Sequence, residues 1–240
     1  MHRLNRDGRI AAAGTGSRQP TLRIGVIDTG VNPWHSHVGG GVYGCRIYLA
    51  PDGGIREDDD IRDLLGHGTA VAGILRQRLP DAEIFAVRVF ERDLTSYPSL
   101  VARGVLRAAA EGCSFLNLSL AMPPGPGSEL LVLACEEARA AGCTIVAAGH
   151  PERGKLLPAS LAGVFGVIAD DLVPEGEIRV GQGGDYRYAA SGRPRELEKT
   201  GPAGNLWGNS FACARVTAWL AAQSMCKSPF EPAVSDLALQ

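Results

Sequence analysis

Residues 113–149 read CSFLNLSLAMPPGPGSELLVLACEEARAAGCTIVAAG, and this stretch decides the fold. Its two ends, 113–120 and 143–149, are apolar almost throughout, which is typical of strands buried on both faces of a sheet. The middle, 128–141, follows a turn rich in Pro and Gly and has the period of a helix. The residues predicted to share one face of that helix are Leu130, Ala134, Ala138 and Ala141. A strand, a helix and a second strand in succession predict a right-handed crossover between parallel strands.

The same alternation extends along the chain. Further strands are predicted at 22–27, 83–90 and 163–169, and further helices at 66–79, 99–111 and from about Ser210 to 223. Loops rich in Pro and Gly are expected at 122–127, 174–185 and 192–208. The sequence therefore predicts an α/β fold with a doubly wound, mostly parallel sheet and helices on both faces. We expect one domain over residues 21–240, preceded by a loosely ordered tail at residues 1–20.

Composition excludes several function classes. The chain has 240 residues, a net charge of -2 and 45% hydrophobic residues, which argues against a nucleic-acid or anionic-membrane partner. The basic tail lacks the apolar run of a signal peptide, and no stretch is long enough to span a bilayer, so the expected location is cytoplasmic. The six cysteines form no CxxC pair and are expected to be buried thiols, with Cys113 and Cys143 as neighbours on adjacent strands.

Three short motifs place an Asp, a His and a Ser in the order of one known catalytic triad. Asp28 ends the first predicted strand, His67 lies between two glycines, and Ser210 opens the last helix. Each residue also has a simpler interpretation, since Asp binds turn amides and His or Ser often caps a helix. In open α/β sheets, however, ligand sites lie beyond the carboxyl ends of the strands, which is where Asp28 stands.

The blocks around these residues resemble the subtilase family of serine proteases. They read VIDTGV (26–31), GHGTAVAGIL (66–75) and GNSFACA (208–214). Two further blocks, at 116–121 and 145–150, resemble the strand that pairs with substrate and the wall of the S1 pocket. This pocket holds the side chain of P1, the residue whose carbonyl is attacked. The resemblance covers roughly residues 20–225.

The resemblance implies a serine endopeptidase that binds a peptide or protein as an extended strand. We expect no cofactor, and no metal because the sequence has no clear set of metal ligands. Ser210 would attack the scissile carbonyl, His67 would transfer the proton and Asp28 would orient His67. The residues implied to bind substrate are Ser119, Leu120 and Ala121 on the strand, Ala147, Ala148 and Gly149 in the S1 wall, and Leu156 at the S1 base. Because Leu156 is bulky, small P1 residues are expected.

Three positions depart from the family pattern. His150 stands where an oxyanion-binding Asn is usual, Asn209 replaces a Thr, and Ala214-Arg215 replace a Pro-His pair. We interpret His150 as a neutral oxyanion donor whose other ring nitrogen accepts a hydrogen bond. The alternative is that His150 points away and a backbone N–H or Asn209 serves the oxyanion instead.

Other features leave the function partly open. The acidic residues at 57–60 and Asp63 are interpreted as a solvated loop rather than a calcium site or a pocket for basic substrates. The short chain resembles the small maturation subtilases of modified-peptide pathways, such as the one for quinohemoprotein amine dehydrogenase, which implies a specific processing protease. The alternatives are an inactive subtilase-fold binding scaffold and, less favoured, a nucleotide-binding domain, although no GxGxxG motif is present. The sequence does not specify the substrate or the oligomeric state.

Overall fold

The computed structural model describes residues 21–181, 186–195 and 207–226. The tail at 1–20 and much of the loop expected at 192–208 lie outside these residues. The described strands form one sheet in the order β3-β2-β4-β1-β5-β6-β7-β9-β8. They are β1 (Arg23–Asp28), β2 (Val42–Leu49), β3 (Ile55–Asp58), β4 (Glu83–Arg88), β5 (Phe115–Leu118), β6 (Thr144–Ala148), β7 (Phe165–Ala169), β8 (Arg179–Val180) and β9 (Tyr188–Ala190).

The parallel core of the sheet confirms the prediction. β2, β4, β1, β5, β6, β7 and β9 pair in parallel, whereas β3 and β8 are antiparallel strands at the two edges. All five strands predicted from the sequence are present, because continuous apolar runs mark strands covered on both sides. β2, β3, β8 and β9 were not predicted. β2 alternates between buried and partly exposed residues and β3 is mostly exposed, so neither contains a continuous apolar run.

Four α-helices cover the two faces of the sheet in the described part of the chain. They are α1 (His67–Arg78), α2 (Pro98–Ala110), α3 (Ser128–Ala140) and α4 (Asn209–Cys226). α2 and α3 pack together on one face, where the largest apolar cluster lies, and α1 and α4 pack together on the other. The doubly wound architecture is therefore confirmed.

The predicted face of α3 was wrong by about one residue. Leu130 is 46% exposed and Ala141 caps the helix, whereas the buried residues are Leu131, Ala134, Cys135 and Ala138. Several apolar side chains around the helix made two neighbouring faces nearly equivalent in the sequence. Tertiary packing against α2 selects between them.

The cysteines within the described residues are free thiols and are buried as expected, except for Cys226, which is exposed near the end of α4. Cys113 and Cys143 are neighbours, since Sγ of Cys143 donates to the backbone carbonyl of Cys113 over 3.2 Å. Burial raises the pKa of the Cys113 thiol to about 12. No helix in the described parts of the chain is long and apolar enough to cross a membrane.

Candidate active site

Asp28 and His67 form the central contact of the site. Asp28 ends β1 and is fully buried, and its Oδ1 lies 2.7 Å from Nδ1 of His67, the first residue of α1. The backbone N–H of Thr29 donates to the same oxygen over 2.7 Å. A carboxylate at Nδ1 favours the tautomer that carries hydrogen there, which leaves Nε2 able to accept a proton.

The glycines on either side of His67 make this contact sterically possible. A Cβ added at Gly68 would lie 2.1 Å from the carbonyl oxygen of Gly30 and 3.1 Å from Oδ1 of Asp28. A side chain there would therefore force α1 away from β1. Gly66 has a φ of 82°, a left-handed conformation that favours glycine over other residues. The Gly-His-Gly sequence thus brings the start of α1 into contact with the end of β1.

Opposing influences act on the pKa of His67. Burial of the ring is the largest and lowers the pKa, because it disfavours the imidazolium. The charge of Asp28, its hydrogen bond and the more distant charge of Asp63 act in the other direction. Together they raise the pKa of His67 above its ordinary value. The site therefore stabilises the imidazolium that forms when His67 accepts a proton.

Asp63 organises the loop that leads into His67. Its Oδ1 accepts hydrogen bonds from Oγ1 of Thr29 over 2.8 Å and from the N–H groups of Leu65 and Gly66 over 3.0 and 2.8 Å. Its Oδ2 accepts from the N–H and Oγ1 of Thr69 over 2.8 and 2.6 Å. The sequence interpretation missed this role. The signal that was available is an acidic residue just before a helix, where it binds unpaired N–H groups.

Three of the other acidic residues, Glu57, Asp58 and Asp60, are ion-paired with arginines, whereas Asp59 is exposed, so the interpretation as a solvated loop was right only in part. Glu57 and Asp58 belong to β3, where Asp58 pairs with Arg46, and Arg107 on α2 pairs with Glu57 over 2.9 Å. Asp60 lies 2.7 Å from Arg62 and 3.2 Å from the buried Arg88. Apart from Arg62, the positive partners lie 12 to 50 residues away in the chain, which is why the sequence did not reveal the pairing. Within the described ranges, no group of three or more His, Cys, Asp or Glu residues could hold a metal ion.

Ser210 lies in the first turn of α4, at the same edge of the sheet. Its Oγ donates to the backbone carbonyl of Ser119 over 3.1 Å, and Oγ of Ser119 donates to the carbonyl of Ser210 over 3.3 Å. The next residue, Phe211, places its ring against that of His67, with centroids 5.6 Å apart. The nucleophile candidate and His67 are therefore held by adjoining elements. The structure describes both residues and records no hydrogen bond between them.

A buried network of hydrogen bonds connects Ser119 to α4 through Asn117. Asn117, fully buried on β5, donates from Nδ2 to Oγ of Ser119 over 2.8 Å. Its Oδ1 accepts a hydrogen bond from Oγ1 of Thr217 over 2.9 Å and from Sγ of Cys213 over 3.4 Å. Thr217 and Cys213 lie on α4, so the network joins the helix of Ser210 to the strand that leads to Ser119. Sequence analysis named Asn117 only as part of a motif and assigned it no role.

The residues predicted to bind substrate on β5 and β6 lie at or just beyond the carboxyl ends of these two adjacent strands. Ser119–Ala121 follow β5, while 147–149 form the end of β6 and the residue after it, and the two strands pair in parallel up to Leu118 and Ala147. Ala147 packs in the cluster under α2 and α3, but Ala148 packs on the opposite face with Ala212 and Val216 of α4. The side chain of Ala148 therefore faces away from the wall that Ala147 and Gly149 form.

His150 and Leu156 both lie in the segment between β6 and β7, residues 149–164. Nδ1 of His150 is buried and has no hydrogen-bond partner, so the second hydrogen bond expected for this ring is absent among the described residues. Leu156 is 6% exposed, and the next residue forms an antiparallel bridge with Met122, with N–H to O distances of 2.8 and 2.9 Å. This bridge ties the segment below His150 to the chain that leaves Ala121.

The remaining unusual positions have structural partners. Oδ1 of Asn209 accepts a hydrogen bond from the N–H of Ala169 over 2.7 Å, which attaches the start of α4 to the end of β7. Arg215 is buried and donates from Nη2 to Glu175 over 2.7 Å and to the carbonyl of Arg193 over 3.0 Å. Ala214 is completely buried among the side chains between α1 and α4.

The fold is a doubly wound α/β domain with a buried Asp-His contact at the carboxyl edge of its sheet, and comparison with known proteins identifies the family. The model of the subtilase family matches residues 20–229. The chain belongs to the subtilase family.

Individual relatives agree with this assignment. A thermostable alkaline protease of Halalkalibacterium halodurans is 31% identical over 160 residues, which cover 62% of this chain and 41% of that protein. The nisin leader peptide-processing serine protease NisP of Lactococcus lactis is 32% identical over 117 residues, 42% of this chain and 17% of that protein. The matched region thus spans less than half the length of these relatives. The crystal structure of a cold-adapted subtilisin-like serine proteinase superposes with a TM-score of 0.68 at 24% identity, covering 93% of this chain and 81% of that one.

Proposed function

We propose that the protein is a serine endopeptidase in which Asp28, His67 and Ser210 form the catalytic triad. The observation that carries this proposal is the 2.7 Å contact between Oδ1 of Asp28 and Nδ1 of His67, with Ser210 at the start of the helix that packs against His67. On this proposal, the Ser210 side chain rotates from the carbonyl of Ser119 towards Nε2 of His67 during the reaction. Family membership supports the same reaction class.

The reaction follows from these positions. Oγ of Ser210 attacks the scissile carbonyl while Nε2 of His67 accepts the hydroxyl proton, and Asp28 stabilises the resulting imidazolium. His67 then donates that proton to the leaving amine, and water repeats the sequence on the acyl-enzyme. The negative carbonyl oxygen lies at the start of α4, where N–H groups are unpaired, and His150 is the proposed side-chain donor.

The proposed substrate is an extended peptide segment that pairs with Ser119–Ala121. These residues lie past the end of β5 and outside the strands of the sheet, so their backbone is placed to bind another strand. We further propose that the physiological substrate is a precursor peptide and that the protein acts in the cytoplasm. Two solved structures with the same fold are titled as the nisin leader peptidase NisP and the prenylagaramide maturation protease PagA, with TM-scores of 0.62 and 0.59. The free thiols are consistent with a reducing compartment.

Active-site labelling tests the triad. A biotinylated fluorophosphonate should label the wild type and leave Ser210→Ala unlabelled, since the proposed nucleophile is removed. Labelling of Ser210→Ala at the wild-type rate would refute the assignment, and failure to label the folded wild type would favour the inactive scaffold. Mass spectrometry of precursor peptides encoded near this gene, incubated with the protein, then tests the processing role.

A further inference from the structure

Tyr186 lies against the wall of the proposed S1 pocket. A Cβ added at Gly149 would lie 2.1 Å from Cε1 of Tyr186, so the ring rests directly on the backbone of that glycine. A Cβ added at Gly166, on β7, would lie 3.1 Å from Cδ1 of the same ring. The hydroxyl of Tyr186 donates to the carbonyl of Gly154 over 2.8 Å, which holds the far end of the ring.

The ring lies on the face of the sheet where a P1 side chain would enter. Residues of a strand alternate between its faces, so Gly149 shares the face of Ala147, which belongs to the cluster under α2 and α3. Tyr186 packs against this same cluster, which also contains Leu157. The P1 side chain would enter between Ser119–Ala121 and this wall, because the two segments extend adjacent strands. Tyr186 therefore fills space on the face of Gly149 that a P1 side chain would approach. Its ring lies against Gly149 and Gly166, and its hydroxyl is bound to Gly154.

We propose that Tyr186 limits the size of the P1 side chain, so that the enzyme cleaves after Gly, Ala or Ser. This inference rests on the proposed function. It makes Tyr186 a second residue that restricts the S1 pocket, besides Leu156, which is buried a few residues after His150. A ring that lies along the backbone of Gly149 and is held at its hydroxyl by a hydrogen bond cannot move aside as freely as a flexible side chain would. Large P1 residues are therefore excluded by a rigid group rather than by a shallow surface.

A randomised synthetic peptide library, with cleavage sites read by mass spectrometry, tests the proposal. The wild type should cleave after small residues, and Tyr186→Phe should keep this preference because the ring remains. Tyr186→Ala and the less disruptive Tyr186→Leu should raise cleavage after Leu or Phe, relative to Ala, by at least about tenfold. Tyr188→Leu is the matched control, because Tyr188 is two residues away but packs on the opposite face with Phe165 and Trp219.

The outcomes distinguish failure of the Tyr186 proposal from failure of the proposed protease function. Thermal unfolding identifies which variants are folded. If Tyr186→Ala does not fold, Tyr186→Leu serves in its place, because it leaves a smaller gap in the packing. An unchanged P1 preference in a folded Tyr186→Ala or Tyr186→Leu protein, or wild-type cleavage after Phe and Leu, would overturn the role of Tyr186 while leaving the protease assignment in place. A folded wild type that cleaves no peptide would contradict the proposed function, and the P1 proposal with it.

Discussion

Ser210 and Ser119 are joined by two reciprocal hydrogen bonds. The hydroxyl of Ser210 donates to the carbonyl of Ser119 over 3.1 Å, and the hydroxyl of Ser119 donates to the carbonyl of Ser210 over 3.3 Å. The proposed nucleophile is thus bound to the strand that is proposed to receive the substrate. A substrate N–H that took the Ser119 carbonyl would compete with the Ser210 hydroxyl and favour its rotation towards His67.

This arrangement predicts that Ser210 has little influence on the pKa of His67 in the free protein. A hydroxyl that donated to Nε2 would stabilise the neutral imidazole and lower the pKa, whereas a hydroxyl on Ser119 has no such effect. Ser210→Ala should therefore change the pKa of His67, measured by NMR titration, by less than about 0.3. Asp28→Asn identifies the His67 resonance, because it removes the main raising influence. A rise of about one in Ser210→Ala would contradict the prediction.

Asn117 should influence the nucleophile as well as the stability of the fold. Asn117→Ala leaves the hydroxyl of Ser119 without its buried donor and should lower the free energy of unfolding by about 1–3 kcal/mol. It should also slow fluorophosphonate labelling of Ser210, because Ser119 loses its orientation. Thr217→Val is the control, since it removes one of the two hydrogen bonds that Oδ1 of Asn117 accepts and leaves Ser119 in place. Equal slowing in both variants would indicate a purely structural role for Asn117.

Asp63→Asn should loosen the loop before His67. The carboxylate accepts several N–H and O–H groups at the start of α1, and an amide replaces one of its two acceptor oxygens with a donor. We expect a loss of about 1.5–3 kcal/mol in the free energy of unfolding, measured by urea denaturation, because these hydrogen bonds involve a charged group. The exposed Asp59→Asn is the control and should unfold like the wild type. A stability loss below about 0.5 kcal/mol in Asp63→Asn would contradict this role.

The sequence predicted what local pattern and motif determine, and it missed what depends on contacts between distant segments. The central strands and the Asp28–His67 pair were predictable because apolar runs and the Gly-His-Gly motif have few structural solutions. Tyr186 was not, because it lies next to Gly149 only after β9 has paired with β7. The pairing of Glu57 with Arg107 likewise depends on the packing of α2 against β2, the strand next to β3. Charge sign along the chain does not reveal such partners.

The pKa of His67 predicts how pH affects activity and stability. Because the pKa is raised on folding, His67 contributes stability that is complete below its unfolded pKa, about 6.5, and is lost as pH rises through the folded pKa. Asp28→Asn removes the main raising influence, so the variant should lose more stability, relative to wild type, near pH 5 than near pH 9. Its acidic limb of activity should move to lower pH, while the maximal rate falls by about 10⁴. Calorimetry and a pH-rate profile measure both effects. An unmoved acidic limb would show that another group titrates in the reaction.

The proposed role of His150 as oxyanion donor is tested by the kinetics of its variants. Nδ1 is buried without a hydrogen-bond partner in the described structure, so no neighbouring group fixes the tautomer of the ring. A neutral imidazole can still donate one N–H to the oxyanion. His150→Ala should therefore lower kcat on the order of 10²–10³ with little change in KM. His150→Asn should retain much of the activity, since it supplies an amide donor. Asn209→Ala tests the alternative donor, although its loss also frees the N–H of Ala169. If His150→Ala stays within about threefold of wild type and Asn209→Ala does not, the oxyanion is bound from the start of α4 and His150 has no part in it.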